Sequence, residues 1–274
     1  MKNKVLIYDD NCPLCTWYSS LFVSCGLLPT EGRKSFSTLE SSLLKSIDLD
    51  KSRNEIPLLD TKSGKVLYGI DALLEILGQR SGFIKTTGKL KPINWLLKKI
   101  YKFISYNRKV IVAKKCSTGS IDCSPDLNYW YRIVFMLVFL AFNSLMLFPL
   151  HTLIFSPAFG SLLSIKQLQI AHFGLVLINC LLAFNFSKAK AIEYLGQANM
   201  LALLTILLLI PLLLVHYWFN LGEWFNFIYL AVTAIIIFKE YLRRMEYAGV
   251  LADNKWIAAI NLAGMVGFIL FLFR

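Results

Sequence analysis

The sequence predicts an α/β domain followed by an all-α bundle of membrane-spanning helices. Charged residues concentrate in the first 130 or so positions, whereas long apolar runs dominate from Tyr131 onward. Within the first part, short β-like runs alternate with stretches of helical spacing, which is typical of an α/β domain. We therefore predict an N-terminal domain at 1–112, a basic, cysteine-containing linker at 113–130 and a membrane domain at 131–274.

The first strand and helix meet at a C-x-x-C motif. An apolar run at Val5–Tyr8 predicts a strand, and apolar residues return at helical spacing from Leu14, so a helix begins at Cys12. Backbone amides and the helix dipole at that position stabilise a thiolate and lower its pKa. Pro13 suits the first helical position. Cys15 lies one turn further on the same face and can resolve a mixed disulfide.

The motif has two other interpretations, a zinc half-site and a pair of structural cysteines. Zinc would need two more ligands, and Cys116 and Cys123 are spaced more widely than the cysteine pairs of closed zinc sites. The sequence therefore favours dithiol redox chemistry, with no metal and no cofactor. Cys116 and Cys123 themselves are either free thiols in a loop or a regulatory disulfide that the C-x-x-C reduces.

Further elements follow in the order β-α-β-α-β-β-α. They are a weak strand near Arg33–Phe36, a helix near Leu39–Ile47, a polar loop, a strand at Ile56–Leu59 opened by Pro57, a turn at Lys62–Lys65, a strand at Val66–Tyr68 and a helix at Gly69–Leu77 before Gly78. Between Lys85 and Lys102 a basic amphipathic helix begins near Pro92. It either docks on a membrane surface or is the last helix of the domain.

This order of elements resembles the thioredoxin superfamily. Three features add to the resemblance: the cysteines on the first helix, a proline that opens the third strand, and the helix that begins with Gly69-Ile70-Asp71-Ala72. Within it, Tyr8-Asp9-x-x-Cys12-Pro13-x-Cys15 resembles the DCC family of thiol-disulfide oxidoreductases. Tyr101 with Asn107-Arg108 is similar to that family's closing helix. The resemblance covers residues 1 to 112 and implies a thioredoxin-like fold. In one departure, Asp10 stands where the family usually has glycine, and we expect this second carboxylate to raise the pKa of Cys12.

The resemblance also implies roles for four residues. Cys12 would be the attacking thiolate and Cys15 the resolving thiol, acting on a protein or small-thiol disulfide. Pro57 would be a cis-proline that faces the disulfide. Asp9 would orient the motif or accept a proton during exchange, and its alternative role is that of a turn residue bonded to backbone N–H groups.

Five segments approach the 20 or so apolar residues that cross a bilayer. They are Ile133–Leu150, Leu168–Phe186, Ala198–Phe219, Leu221–Phe238 and Trp256–Phe273. The fourth is the weakest because Glu223 lies near its start. Only Cys180 lies within a span, which argues against a transmembrane thiol relay.

Lysine and arginine set the expected orientation. Eleven of them lie between Lys85 and Arg132, which predicts that the N-terminal domain is cytoplasmic in an integral protein of a bacterial inner membrane. The strand after Met1 is too short for a secretory signal, so we expect no export of the domain. Most of the net charge of +12 lies beside the spans, where it meets anionic lipid, so nucleic acid is not an expected partner.

Three histidines, His151, His172 and His216, are predicted to lie toward the outer face with Glu223. Such a set could hold a metal, a haem or a quinone, but interfacial polar residues are the favoured interpretation. The sequence thus predicts a membrane-tethered thiol-disulfide oxidoreductase whose electron donor is unknown. The alternative is a non-enzymatic membrane transporter or scaffold whose thioredoxin-like domain binds or senses.

Overall fold

The computed structural model describes residues 1, 3–114, 124–156, 163–219 and 222–272, without the side chains of residues 223, 269 and 272. The chain divides into two compact units, Met1–Tyr131 and Arg132–Arg274. The predicted linker therefore falls within the first unit, and its residues 115–123 lie outside the described residues. The domain limits drawn from the sequence stay a prediction.

The first unit contains a four-stranded mixed sheet in the order β2-β1-β3-β4. The strands are β1 (Lys4–Tyr8), β2 (Arg33–Ser35), β3 (Pro57–Asp60) and β4 (Val66–Tyr68). β1 pairs in parallel with β2, and β3 pairs antiparallel with both β1 and β4. This arrangement confirms the predicted α/β, thioredoxin-like class and the predicted order of the strands along the chain.

Six helices of this unit are described. They are α1 (Pro13–Ser24), α2 (Ser41–Leu44), α3 (Leu49–Asn54), α4 (Gly69–Leu77), α5 (Gly82–Gly88) and α6 (Lys91–Val112). Short 3-10 turns at Thr30–Gly32 and Phe36–Thr38 flank β2. α4 has the predicted bounds, and α6 begins beside Pro92 as expected.

The sheet is buried on both faces because residues along β1 alternate between two apolar clusters. Leu6 packs on one side with residues of α1 and α4, such as Phe22 and Ile76. Val5 and Ile7 pack on the other side with Phe36, Ile47 and Leu59. β1 is therefore fixed from both sides, and so is the turn that leaves it toward the cysteines.

Two local predictions were wrong between β2 and β3. The predicted helix at Leu39–Ile47 is only the single turn α2, and the predicted polar loop contains α3. The Asp48 carboxylate begins α3 by accepting a hydrogen bond from the Lys51 backbone N–H at 3.0 Å. A capped helix of six residues, five of them polar, shows no apolar periodicity, so the pattern could not indicate it.

The second unit is helical. Its helices are α7 (Tyr129–Leu150), which continues as a π-helical segment at His151–Phe155, α8 (Ile165–Ala183), α9 (Lys188–Trp218), α10 (Glu223–Tyr247), α11 (Val250–Asp253) and α12 (Lys255–Leu272). α7 begins at the end of the first unit. An all-α C-terminal region was predicted, and that prediction is confirmed.

Among the described residues, four helices are long and apolar enough to cross a membrane. They are Tyr129–Phe155, Ile165–Ala183, Lys188–Trp218 and Trp224–Tyr247. They correspond to the first four predicted spans and support an integral membrane protein. The fifth predicted segment forms α12, and its crossing of a membrane stays a prediction.

Candidate functional site

Cys12 lies where the sequence places it, at the N-cap of α1. β1 ends at Tyr8, and a tight turn follows in which the Cys12 backbone N–H donates to the Asp9 carbonyl at 3.2 Å. The Asp9 side chain accepts from the Asn11 backbone N–H at 3.0 Å. Cys12 has an extended backbone conformation and Pro13 opens the helix. This bond fits the turn role that was the alternative for Asp9, and the role of Asp9 in exchange stays a prediction.

The cysteine pair and its charged neighbours are buried together. Cys12 is 3% exposed and Cys15 is 4% exposed, and both are free thiols. The Arg108 Nη1 group donates to Cys15 Sγ at 3.8 Å. Arg108 Nη2 also lies 3.5 Å from Asp9 Oδ2, and the side chains of both residues are nearly inaccessible. Four functional groups thus share one buried cluster that contains a fixed positive charge.

The two thiols titrate in opposite directions. The pKa of Cys12 is lowered to about 6, chiefly because the Cys15 side chain hydrogen-bonds to it. The Cys15 backbone amide and the Arg108 charge also lower the pKa of Cys12, while burial and Asp9 act against them. The same hydrogen bond, together with burial, raises the pKa of Cys15 well above its usual value. Near neutral pH, Cys12 is a thiolate and Cys15 a thiol.

The causes of the low pKa of Cys12 match the expectations only in part. A helix amide lowers it as expected, that of Cys15, but the Cys15 side chain contributes more. Among the main causes, the carboxylate that raises the pKa is Asp9, and the effect expected of Asp10 stays a prediction. Asp9 is buried in the cluster, whereas Asp10 Oδ2 accepts a hydrogen bond from Ser37 Oγ at 2.7 Å.

Arg108 is held in place by the buried face of α6. Three residues one or two turns apart on that face bond to the chain that leads into β3. Tyr101 Oη accepts from the Ile56 backbone N–H at 2.9 Å, and the Ser105 hydroxyl donates to the Asn54 carbonyl. Arg108 Nη2 donates to the Arg53 carbonyl at 2.9 Å. α6 therefore fixes both the guanidinium and the segment that precedes Pro57.

No role in the reaction was predicted for Arg108, although Arg108 was part of the family resemblance. One signal was available. On α6, Arg108 is the one arginine among lysines, and it falls on the same face as Tyr101 and Ser105 rather than with Lys98 or Lys102. An arginine on the buried face of an amphipathic helix indicates a fixed partner, because a guanidinium is not left unpaired in a protein interior.

Pro57 was predicted to be a cis-proline, and this prediction was wrong. Pro57 opens β3 and pairs with Tyr68 of β4, and no peptide bond among the described residues is cis. The trans form is the intrinsic preference of an X–Pro bond, by about 0.5 to 1 kcal/mol. Pro57 has its expected place at the head of a strand. Its role beside the cysteines stays a prediction.

Two tyrosines complete the surroundings of Cys15. Burial raises the pKa of Tyr18 well above its usual value, with a further contribution from an interaction with Cys15. Burial likewise raises the pKa of Tyr101. Both phenols are neutral at physiological pH. The charge near the cysteines therefore comes from Arg108 and Asp9.

The residues of the other candidate sites predicted from the sequence do not form a cluster within the described part of the chain. The described residues hold no group of three or more histidine, cysteine, aspartate or glutamate side chains that could bind a metal. His151 Nε2 lies 2.8 Å from the Leu163 carbonyl, and His216 Nε2 contacts Asn226 Oδ1. Cys116, Cys123 and the side chain of Glu223 lie outside the described residues, so the zinc and regulatory-disulfide hypotheses stay untested.

Comparison with known proteins agrees with the cysteine site. Residues 6–114 match the family model of the DCC1-like thiol-disulfide oxidoreductases. A search of curated proteins found no match, and neither did a search of solved structures. The matched range contains the end of β1, both cysteines, Pro57 and Arg108. The N-terminal part of the chain is therefore similar to the DCC1-like thiol-disulfide oxidoreductases, and it is followed by a region in which the described residues form four helices long and apolar enough to cross a membrane.

Proposed function

We propose that the protein is a membrane-tethered thiol-disulfide oxidoreductase that works by dithiol–disulfide exchange at Cys12 and Cys15. The observation that carries this proposal is the buried cluster in which Cys12 and Cys15, at the start of α1, lie with Arg108 and Asp9. In this cluster the pKa of Cys12 is lowered and that of Cys15 is raised. A pKa of about 6 makes Cys12 a thiolate near neutral pH, and only the thiolate attacks a disulfide. The raised pKa of Cys15 keeps it protonated until it is needed.

The exchange has two steps. In the first, the Cys12 thiolate attacks one sulfur of a substrate disulfide, forms a mixed disulfide and releases the other substrate sulfur as a thiolate, which takes up a proton. In the second, Cys15 loses its proton and attacks Cys12 Sγ, which releases the remaining substrate sulfur. The substrate disulfide gains two electrons and the Cys12–Cys15 pair becomes a disulfide. A dithiol donor then restores the free thiols by the reverse exchange.

Arg108 and Asp9 position this chemistry. The guanidinium stabilises a negative charge on either cysteine and therefore suits both steps, because the charge moves from Cys12 to Cys15 between them. Asp9 holds the turn through Asn11 and lies 3.5 Å from Arg108. We assign Asp9 to this orienting role. We assign Pro57 to the wall of the substrate groove, because it follows the segment that α6 fixes.

We place the N-terminal unit in the cytoplasm, at a bacterial inner membrane. The support is the excess of lysine and arginine between Lys85 and Arg132, just before the first span. Cytosolic C-x-x-C pairs are kept reduced, and they act in transient exchange. The substrates are then disulfides of cytosolic or membrane proteins, or of small thiols.

A second function is favoured by one observation, the burial of both cysteines. With Cys12 only 3% exposed, a substrate disulfide reaches the thiolate only after the covering residues move. A domain that never opens would be a binding or sensing module attached to a membrane transporter or scaffold. The two functions differ in whether the domain turns over disulfides.

The test uses the full-length protein in proteoliposomes with a model disulfide substrate and a dithiol donor. We expect Cys12→Ser to reduce turnover to background and Cys15→Ser to accumulate a Cys12 mixed disulfide. Cys25→Ser is the matched control, because Cys25 is an exposed cysteine of the same unit, and it should leave turnover unchanged. Equal turnover by the Cys12→Ser variant and the unmodified protein would favour the binding module.

The orientation needs its own measurement. A membrane-impermeant maleimide applied to sealed inside-out vesicles should label Cys25, and the same reagent applied to right-side-out vesicles should not. Labelling only in right-side-out vesicles would place the unit outside. That result would contradict the cytoplasmic assignment without affecting the thiol chemistry.

A further inference from the structure

One face of α6 is apolar and yet exposed. The helix packs on its own unit through Tyr101, Ser105 and Arg108, and a separate line of large apolar side chains faces away from that contact. We call this line, with the apolar residues just before it, the apolar stripe. Its members are Phe83, Leu90, Trp95, Leu96, Ile100 and Ile104, which are between 43% and 77% exposed. Exposed apolar residues in such a continuous line mark an interaction surface.

Lysines border the stripe along the helix. Lys91, Lys98 and Lys102 follow one another at helical spacing on one side, and Lys99 lies near the Trp95 ring, with its Nζ 5.8 Å from the centroid. Lys98 and Lys102 pair with Asp71 and Glu55, but their side chains stay 48% and 43% exposed. No acidic residue occurs between Glu75 and Asp122. The stripe and α6 therefore contribute apolar and basic side chains but no acidic one, and the acidic residues beside them, Asp71 and Glu55, are paired with Lys98 and Lys102.

The chain itself keeps this surface near a bilayer. α6 ends at Val112 and the first candidate span begins at Tyr129, which leaves residues 113 to 128 between them. Sixteen residues reach at most roughly 55 Å when fully extended. A covalent connection of that length gives the stripe a high effective concentration at the membrane surface.

We propose that the apolar stripe lies in the headgroup region of the membrane, with the lysines of α6 against anionic lipid. An amphipathic helix with tryptophan and aliphatic residues on one side and lysines beside them is suited to this position. Charge favours lipid over a second copy of this chain. Two such surfaces facing each other would bring Lys91 and Lys99 of both copies together, and the stretch between Glu75 and Asp122 offers no acidic residue to pair with them. The proposal does not depend on the thiol chemistry.

The test uses photo-crosslinking of the full-length protein in nanodiscs. p-Benzoylphenylalanine replaces Trp95 in one variant and Trp17 in the other. The two tryptophans are matched because both belong to the first unit and are 63% and 62% exposed. In phosphatidylcholine discs that contain phosphatidylglycerol, we expect lipid adducts at position 95 to exceed those at position 17 several-fold. Equal adducts at both positions, or adducts at position 95 to protein instead of lipid, would overturn the proposal.

A charge variant tests the role of the lysines. Lys91→Glu combined with Lys99→Glu, introduced with the photo-crosslinker at position 95, should lower the lipid adducts to the level seen in pure phosphatidylcholine discs. An unchanged pH profile of Cys12 alkylation shows that the unit stays folded in this variant. If the adducts remain dependent on phosphatidylglycerol although both charges are reversed, the lysine contact with anionic lipid is wrong.

Discussion

Both units bury arginine, but they hold it differently. In the second unit, Arg244 donates to Gln197 at 2.6 Å and to Glu240 at 2.7 Å, and Arg132 donates to Glu193 at 2.9 Å. In the first unit, the Arg108 guanidinium has a short bond to the Arg53 carbonyl, while Asp9 and Cys15 lie at 3.5 and 3.8 Å.

This difference separates an arginine that joins helices from one that serves a reaction. Charge-assisted hydrogen bonds are short when they are fully formed, about 2.7 to 2.9 Å. The Arg244 bonds are at least this short, and the bond to Gln197 connects α9 and α10, whereas Glu240 lies on the same helix as Arg244. The Arg108 contacts with Asp9 and Cys15 are longer, so the guanidinium is anchored by the backbone while its charge remains effective on a thiolate. We expect loss of Arg244 to reduce stability and loss of Arg108 to reduce thiol reactivity.

The largest expected effect is on the stability of the second unit. Arg244→Met removes one partner of a buried charged network and should lower the free energy of unfolding by about 3 kcal/mol. Arg243→Met is the matched control, because Arg243 bonds to the same Glu240 but its side chain is 46% exposed. The control should cost less than about 1 kcal/mol. Unfolding in mixed detergent micelles, followed by circular dichroism, measures both. Equal losses would show that the network contributes no more than a surface ion pair.

The next effect concerns the hydrogen bond between the two thiols. Cys15→Ala removes the group that contributes most to the low pKa of Cys12, so the pKa of Cys12 should rise. Cys15→Ser keeps a hydroxyl donor and should raise the pKa less. At a pH below 6, the alkylation rate of Cys12 should then fall in the order unmodified protein, Cys15→Ser, Cys15→Ala. The pH dependence of iodoacetamide labelling, read at Cys12 by mass spectrometry, checks the order. Identical profiles for serine and alanine would mean that the donor is not the main cause.

The comparison also shows what sequence can predict. The strand-to-helix turn at Cys12 could be predicted because local signals agree there: an apolar strand, an N-cap position and a proline at the first helical position. The contact of Arg108 with Cys15 could not be predicted, since Arg108 lies 93 residues from Cys15 in the chain and approaches it only because α6 packs against the segment before β3. The short helix α3 was missed because its start depends on one capping carboxylate. Contacts of this kind depend on tertiary packing, which a pattern along the chain does not record.

A smaller effect is expected from Arg108 itself. Arg108→Met removes a charge that lowers the pKa of Cys12, so the alkylation rate below pH 6 should fall roughly tenfold, as for a change of about 1.4 kcal/mol. Arg108→Lys keeps the charge but loses the planar fork that reaches Arg53 and Asp9 together, so it should recover part of the rate. Lys109→Met removes a neighbouring charge of α6 as a control. If Arg108→Met reduces thermal stability without changing the pH profile of Cys12 alkylation, Arg108 stabilises the fold, as Arg244 does, and has no effect on the thiolate.

The smallest effect should have the opposite sign. Asp9 raises the pKa of Cys12, so Asp9→Asn should lower it and make alkylation faster below pH 6. Asparagine keeps a side-chain oxygen that can accept from the Asn11 N–H, so the turn before α1 should persist. The variant thus separates the orienting role of Asp9 from proton acceptance. With orientation alone, turnover of the model disulfide is kept, because the turn and the thiolate remain. Faster alkylation combined with a strong loss of turnover would show instead that the Asp9 carboxylate accepts the Cys15 proton in the second step of exchange.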